Sequence, residues 1–334
     1  MRIRGTIFGW ILLALALVPF SGNAAVDKLS APLGEQAPDR SGGIAPRVPP
    51  GFRAAPNTTP EPYSNTGWAK EVIHEKTGIE MVFIPAGEYW MGSLMAEGLN
   101  AGEVPSVSEI PKRKVLITKP YYLGIYELTN AEFRKFRPEH SSGKKIDGKT
   151  DLNGDRQPAV RISWDDVQAY AGWAGLRLPT EAEWERACRA GTGTRFSFGD
   201  KKSQLGGYAW FNGNSGRTRR SHSVGEKKPN PWGLYDVHGN VWEWCADWYY
   251  EMYYADFGID HPNVQPVDPP GPAKGSRRVK RGGSWAVFPV DCRSAARYSG
   301  DPMSAIDETC GVRLAFALDG PAERRAGRPE APNP

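Results

Sequence analysis

The sequence predicts an α+β domain that is rich in loops and has little regular secondary structure. Three observations carry this prediction: 38 glycines and 29 prolines without a repeat, 12 tryptophans, and short strand-like segments mixed with a few well-marked helix starts. Glycine and proline at this density indicate many turns, and tryptophans supply large anchors on which irregular chain packs. The 334 residues, 40% of them hydrophobic, suffice for one sizeable core or at most two small ones.

The N-terminal residues 1–25 have the pattern of a secretory signal peptide. Arg2 and Arg4 precede an apolar run over Ile7–Val18, and the small residues Gly22–Ala24 suit a cleavage site. The run of about 12 residues is shorter than the roughly 20 that span a bilayer. We therefore predict cleavage rather than a retained membrane anchor, no membrane span in the mature chain, and a periplasmic or secreted protein.

Proline marks the next segment, and its density sets the predicted domain boundaries. Residues 26–67 contain eight prolines with few apolar side chains between them, which predicts a disordered linker. The segment 320–334 is rich in Glu, Arg and Pro and predicts a disordered tail. The folded body is therefore expected over 68–319.

Several segments of the body alternate or run apolar as strands do. Met81–Ile84 ends at Pro85–Gly87, and Tyr89–Gly92 continues as a hairpin partner. Lys114–Thr118 and Tyr121–Tyr126 are two further strand candidates.

Helix starts are marked by residues that cap an N-terminus. Thr129 predicts a helix over Asn130–Phe136, and Ser163 predicts one over Trp164–Ala174. A third helix is expected after Thr180, where acidic side chains complement the helix dipole.

The charge of the chain argues against some partners. The formal net charge is +4, and two of the basic residues fall in the predicted signal peptide. The basic residues look scattered, and the pairs Arg219/Arg220 and Arg277/Arg278 are too short to form patches. We therefore expect no nucleic acid and no anionic membrane surface as a partner.

The cysteines indicate disulfides rather than a metal site. Cys188, Cys245, Cys292 and Cys310 are the four cysteines, and no two lie within five residues, which excludes a zinc knuckle. An even number in an exported chain favours disulfides. Spacing alone leaves three pairings open.

Five blocks in a fixed order resemble the formylglycine-generating-enzyme family, also called sulfatase-modifying factors. The blocks are Gly78–Gly87 with Met91–Ser93, Tyr126–Asn130 with Phe133, Ser163–Asp166 with Leu176–Glu185, Gly233–Trp244, and Arg281–Trp285 with Cys292–Arg297 and Gly311–Leu314. Together they cover nearly the whole body. The resemblance implies a variant of the C-type-lectin fold, in agreement with the loop-rich composition.

The fourth block implies a structural calcium ion, because the family binds one at the positions of Asp236, Gly239, Val241 and Glu243. Two carboxylates and two backbone carbonyls on a turn are oxygen donors of the kind that calcium prefers. The alternative is that the two carboxylates only accept hydrogen bonds from backbone amides. A second family calcium site, around Tyr208–Gly216, lacks a clear acidic ligand here and is not carried over.

The fifth block departs from the family pattern at the copper site. Family enzymes bind copper(I) between two cysteines five residues apart, the first lying three residues after the Gly-Gly-Ser serine. Here the serine is Ser284, the position three residues on is Val287, and Cys292 stands eight residues on. Counted back from Arg297, the loop is shorter and Cys292 falls on a non-catalytic position. By either count, at most one of the two copper-binding thiolates remains, so copper is not expected. Another cysteine could replace the missing one in space, but nothing in the sequence requires it.

Two functions remain open. In the first, the chain is an exported binding or accessory module for a protein or peptide client, without orthodox copper-dependent formylglycine synthesis. In the second, it is an oxidoreductase acting on a protein cysteine, as in sulfatase activation, or on a peptide-derived metabolite. The catalytic candidates would then be Cys292, Ser284, Trp285 and Arg297. A free Cys292 beside a cleft would favour the second function, and a disulfide there the first.

The resemblance also suggests a disulfide pairing. A family cysteine at the Cys188 position commonly joins the last Gly-x-Arg strand, which points approximately to Cys310. Cys245 is then left for Cys292. The block containing Glu181 and Glu185 is a scaffold in the family, so we expect these carboxylates to be structural rather than catalytic.

Overall fold

The computed structural model describes residues 45–94, 106–144, 150–216, 219–260 and 264–318. They all belong to one compact unit that begins at Ala45. The predicted signal peptide, residues 26–44 of the predicted linker and the predicted tail lie outside the described residues. Within the part that is described, no helix is long and apolar enough to cross a membrane.

The described strands are short and form three sheets. In chain order they are β1 Phe52–Ala54, β2 Glu71–His74, β3 Glu80–Ile84, β4 Gly87–Met91, β5 Arg113–Ile117, β6 Tyr121–Gly124, β7 Trp242–Trp248, β8 Arg278–Arg281, β9 Tyr298–Gly300, β10 Cys310–Gly311 and β11 Ala315–Ala317. The large sheet has the order β1-β2-β3-β6-β11, and the second sheet has the order β10-β7-β8-β9. Strand β4 pairs with β5 rather than with β3, so the predicted hairpin of Met81–Ile84 with Tyr89–Gly92 was wrong. The pair of β10 and β7 is parallel, and the other pairs are antiparallel. The predicted α+β fold class is confirmed.

The described helices are few, and three of the four α-helices begin where the capping residues predict. They are α1 Asn130–Arg134, α2 Trp164–Ala174, α3 Glu181–Arg189 and α4 Tyr253–Asp260, with 3-10 turns at Val107–Glu109, Lys202–Gly207 and Pro289–Cys292. Thr129, Ser163 and Thr180 each form a capping box with the acidic residue three positions on. Helix α1 ends at Arg134, two residues before the predicted end.

The core lies on both faces of the central pair β3–β6. Phe83 and Tyr122 pack in one cluster with helix α2, whereas Val82 and Leu123 pack in a second cluster with helix α3. Successive side chains of a strand point to opposite faces, so a strand covered on both sides is apolar throughout. This explains why all four residues of β6 are buried.

The prediction of a disordered linker over 26–67 was wrong for residues 45–67. Strand β1 pairs with β2, and the side chain of Phe52 is buried in the core, with its ring centre 4.6 Å from that of Phe316. The buried carboxylate of Glu61 accepts hydrogen bonds from the backbone N–H groups of three following residues. The buried ring of Phe52 and the hydrogen bonds to Glu61 therefore fix residues 45–67 to the domain. The prolines of this segment exclude longer helices or strands.

Candidate functional site

The Gly-Gly-Ser-Trp turn after strand β8 is held against two other segments. Gly282 and Gly283 have φ values of 98° and 79°, which L side chains rarely adopt. A Cβ on Gly283 would lie 2.8 Å from the Sγ of Cys292, so glycine also permits this close approach. The N–H of Trp285 donates to the carbonyl of Asn240 at 2.8 Å. The turn is therefore fixed between Cys292 and the predicted calcium turn.

Cys292 is a free thiol with no exposed surface. It ends the 3-10 turn at Pro289–Cys292 and packs in an apolar cluster with Phe196 and Leu205. Its Sγ lies 3.8 Å from the carbonyl oxygen of Phe288. Burial raises the pKa of the thiol well above its usual range, which disfavours the nucleophilic thiolate.

The other catalytic candidates are also buried, and Arg297 lies in a different environment from the turn. Ser284 is fully buried, and its Oγ accepts from the N–H of Ala286 at 3.3 Å. The side chain of Trp285 is 5% exposed. Arg297 makes two charged hydrogen bonds to Glu181, at 2.6 and 2.9 Å. The structure thus places Cys292 against the Gly-Gly-Ser turn, whereas Trp285 packs in a different cluster with Val241. Arg297 pairs with Glu181, which is far from it in the chain.

The carboxylates at the start of helix α3 anchor arginines. Glu185 accepts from Nε of Arg189 at 2.8 Å, from the guanidinium of Arg281, and from the N–H of Gly92 at 2.8 Å. Glu181 is held by Arg297 as described. Both glutamates thus act as partners of buried arginines, because buried charges require such partners.

Asp236, a predicted calcium ligand, lies in a tight buried turn. It has φ of 61°, and its Oδ2 accepts from the N–H of Gly225 at 2.8 Å. Its buried Oδ1 has no hydrogen-bond partner among the described residues. Burial raises the pKa of this carboxyl to about 6. Oδ2 therefore accepts a backbone hydrogen bond, as in the alternative to calcium binding. Oδ1 is left for a further hydrogen-bond donor or for a cation.

Glu243, the other predicted carboxylate ligand, is already engaged by protein donors. It accepts from Nε1 of Trp184 at 2.7 Å and from the guanidinium of Arg313 at 2.8 Å. Glu127 lies in the same buried group, where its carboxylate accepts from the N–H of Val241 at 2.9 Å. Burial raises the pKa of Glu127, and the neighbouring carboxylates Asp236 and Glu243 raise it further.

Three buried carboxylates thus share one buried guanidinium, that of Arg313. If all of them were ionised, the group would carry two negative charges in excess. Neither Glu127 nor Arg313 was predicted as a site residue from the sequence, although both stand inside the matched blocks. In the described residues, no three His, Cys, Asp or Glu side chains converge as a metal-binding group.

Neither predicted disulfide is present, since all four cysteines are free and buried. Cys188 and Cys310 belong to the two clusters on opposite faces of the large sheet. Cys245 shares the cluster of Cys188, whereas Cys292 packs in a separate one. The predicted pairing was wrong because neither the spacing of the cysteines nor the family resemblance tells which hydrophobic cluster each side chain packs in.

A match to a protein-family model shows which family the chain belongs to. The model described as a sulfatase-modifying factor enzyme 1-like domain matches residues 69–318. The chain belongs to the formylglycine-generating-enzyme family. The resemblance of the five blocks is thereby confirmed.

Relatives of this family member include the formylglycine-generating enzyme of Streptomyces coelicolor, 32% identical over 295 residues, with 71% of this chain and 89% of that enzyme covered. The serine/threonine-protein kinase pkn1 of Chlamydia pneumoniae is 33% identical over 261 residues, with 71% of this chain covered. The chain spans only 38% of that kinase. PvdO from Pseudomonas aeruginosa is a structural neighbour, with a TM-score of 0.61, 29% identity, and 73% of this chain and 96% of PvdO covered.

In this member of the formylglycine-generating-enzyme family, the segment that follows the Gly-Gly-Ser-Trp turn reaches solvent at Phe288, which is 66% exposed. Next to it, the carbonyl of Val287 accepts from the N–H of Asn212 at 3.0 Å. The two residues before Asn212, Trp210 and Phe211, are aromatic, and the ring centre of Trp210 stacks on that of the His222 imidazole at 3.7 Å. The accessible surface at the turn is therefore formed by Phe288 and the segment around Trp210 rather than by the buried catalytic candidates.

Proposed function

We propose that the protein is an exported binding or accessory module for a protein or peptide client, without orthodox copper-dependent formylglycine synthesis. The observation that carries this proposal is the environment of Cys292. It is the one cysteine beside the Gly-Gly-Ser turn, and it is fully buried with a raised thiol pKa. Counted forward from Ser284, Val287 stands where the family has its first copper-binding cysteine, and its side chain has no metal-binding atom.

The donor set does not fit copper(I) as the family binds it. A two-sulfur site needs two thiolates directed at one point. Cys292 packs with Phe196 and Leu205, and the other three cysteines lie in different core clusters. No catalytic step through copper is therefore proposed for this chain.

The carboxylate group around Arg313 does fit a structural cation. The unpartnered Oδ1 of Asp236 favours a bound calcium ion, and so does the excess of negative charge that the group would carry with its three carboxylates ionised. We propose Asp236, Gly239, Val241 and Glu243 as its ligands, with the ion stabilising the turn and taking no part in chemistry. Glu243 would then share its carboxylate with Arg313.

Export is proposed from the signal-like pattern of residues 1–25. In a periplasmic or secreted protein the four thiols would meet an oxidising compartment. Their complete burial would protect them from oxidation, since reactivity requires access and thiolate character.

Oxidation of a client cysteine or of a peptide-derived metabolite is the second candidate function. The observation in its favour is that the Streptomyces coelicolor relative, matched over 89% of its length, is named a formylglycine-generating enzyme. Cys292 is also a free thiol, as this function needs. It would have to become accessible before it could react.

The two functions are separated by an oxidation assay combined with a copper titration. The purified protein is titrated with copper(I) without oxygen, against a competing chelator, and is then incubated with oxygen and a sulfatase-type cysteine peptide. We expect no stoichiometric copper and no formylglycine in the peptide by mass spectrometry. Copper-dependent formylglycine formation that is lost in Cys292→Ser, but kept in the matched buried variant Cys310→Ser, would establish the second function.

The binding function needs a positive test of its own. A random-peptide display selection on the purified protein should return peptides with a common motif. Selected peptides that bind equally well to heat-denatured protein would contradict a folded binding module.

A further inference from the structure

The positive charge of the chain is concentrated in one segment. Residues 195–228 contain eight lysines and arginines and two acidic residues, a net charge of +6 in 34 residues. Since the whole chain carries +4, the remaining 300 residues carry −2. The expectation that the basic residues are scattered was therefore wrong for residues 195–228, which we call the basic segment.

One side of the basic segment is a stack of aromatic rings that ends in a lysine. The ring centres of Phe196 and Phe198 are 5.0 Å apart, and those of Phe198 and Tyr208 are 4.2 Å apart, with nearly parallel planes. The Nζ of Lys228 lies 5.8 Å from the ring centre of Tyr208. The ring of Phe198 is therefore covered by those of Phe196 and Tyr208, and this packing fixes the conformation of the segment.

A second stack ends in the adjacent lysine. The imidazole of His222 and the ring of Trp210 are parallel within 8° and 3.7 Å apart. The Nζ of Lys227 lies 3.6 Å from the ring centre of Trp210 and donates to the carbonyl of Gly206 at 2.9 Å. Lys227 and Lys228 are thus positioned by the two stacks, side by side on the chain.

These lysines are held differently from the arginines of the core. Arg297 and Arg313 are neutralised by buried glutamates, at distances of 2.6 to 3.2 Å. Lys227 and Lys228 instead lie over aromatic rings, which attract a cation without cancelling its charge. Glu226, the acidic residue next to them, is 3.7 Å from Nδ1 of His222 and 45% exposed.

The basic segment borders the accessible part of the candidate turn. The guanidinium of Arg219 donates to the side chain of Asn212, and the N–H of Asn212 donates to the carbonyl of Val287. Phe288, next in the chain, is 66% exposed. A ligand lying over Phe288 would therefore meet the positive charge of the segment.

We infer that Lys227, Lys228, Arg219 and Arg220, beside Phe288, form a surface that binds an acidic peptide segment of the client. The inference rests on the proposed binding function and names the partner that this surface fits. Carboxylates complement the clustered ammonium and guanidinium groups, and an apolar residue of the peptide would pack on Phe288.

The aromatic stacks argue against single-stranded nucleic acid and against a sugar chain. Bases bind such surfaces by stacking on open aromatic faces. Here Phe198 lies between Phe196 and Tyr208, and Trp210 carries His222 and Lys227. The rings are used to position the lysines, so charge rather than stacking is what the surface offers.

Fluorescence anisotropy with a labelled peptide of alternating Glu and Gly tests the inference, with Lys-Gly and Ser-Gly peptides for comparison. We expect binding of the acidic peptide alone, weakening as salt shortens the Debye length from roughly 14 Å to 6 Å. The double variant Lys227→Glu/Lys228→Glu should lose about tenfold or more in affinity. Because Lys227 also supports Trp210, Arg219→Glu/Arg220→Glu provides a second reversal with fewer packing contacts.

The matched control is Lys119→Glu/Lys274→Glu, which makes the same change of net charge at two exposed lysines outside the segment. Its affinity should stay within twofold of the original protein. Equal losses in the control and in the test variants, or tighter binding of single-stranded DNA or heparin than of the acidic peptide, would overturn the inference. If the display selection returns neutral motifs and the acidic peptide does not bind, the binding function stands and this inference fails. If no peptide binds at all, both fail.

Discussion

Strand β1 offers a sharp test of where the fold begins, because Phe52 is its one buried side chain. Phe52 is 7% exposed, and its ring lies 4.6 Å from that of Phe316 and 4.9 Å from that of His74. Phe52→Ala removes these contacts and leaves a cavity at the edge of the large sheet. Core Phe→Ala changes cost about 3–5 kcal/mol, and an edge strand can collapse in part, so we expect about 3 kcal/mol.

Urea unfolding and thermal melting measure this cost, and Phe288→Ala is the matched control. The control removes the same atoms from a residue that is 66% exposed and should cost less than about 0.5 kcal/mol. For a domain of this size, a loss of about 3 kcal/mol lowers the melting temperature by about 6–12 °C. Equal stabilities of the two variants would mean that residues 45–67 do not support the fold, as the linker prediction held.

Three further predictions concern buried polar and sulfur groups. Calcium at a hundred times its dissociation constant should add about 2.7 kcal/mol of stability, and Asp236→Asn should abolish the accompanying rise in melting temperature; a rise that persists would place any ion elsewhere. The pKa of buried His238 is lowered to about 4, so the unfolded chain binds its proton first as pH falls. The contribution of His238 to stability should therefore fall by about 3 kcal/mol as the pH falls from roughly 6.5 to 4, and His238→Gln should remove that part of the pH dependence in urea titrations. A thiol reagent should detect none of the four cysteines in the native protein and all four in denaturant, and fewer in denaturant would indicate a disulfide.

The helix starts were predictable because their signals are local. A Thr or Ser that caps an N-terminus and an acidic residue three positions on satisfy backbone donors within one turn of chain. This is why Thr129, Ser163 and Thr180 each mark a helix in the structure. The matched blocks predicted the family for a related reason, since each block combines such a cap or turn with adjacent core residues.

The errors arose where the outcome depends on distant partners. Phe52 looks like an isolated aromatic among prolines until Phe316, more than 260 residues later, packs against it. The cysteine pairing failed because Cys188 and Cys310 enter cores on opposite faces of one sheet. The carboxylate of Glu127 likewise acquires its role only when the chain brings it to the turn at Val241.

The contacts of the matched blocks show that their buried charged residues support the fold. Arg297, a catalytic candidate in the sequence, donates hydrogen bonds to Glu181, and Arg313 donates to Glu243. Both arginines thereby connect segments that are far apart in the chain. Losing one partner of such a pair leaves a buried charge unpaired, which costs about 3–5 kcal/mol. The fold therefore requires these residues whether or not the protein catalyses anything. Between the blocks, by contrast, Phe288 is exposed, and the carbonyl of Val287 beside it accepts from the N–H of Asn212 in the basic segment, so this is where the proposed client would bind.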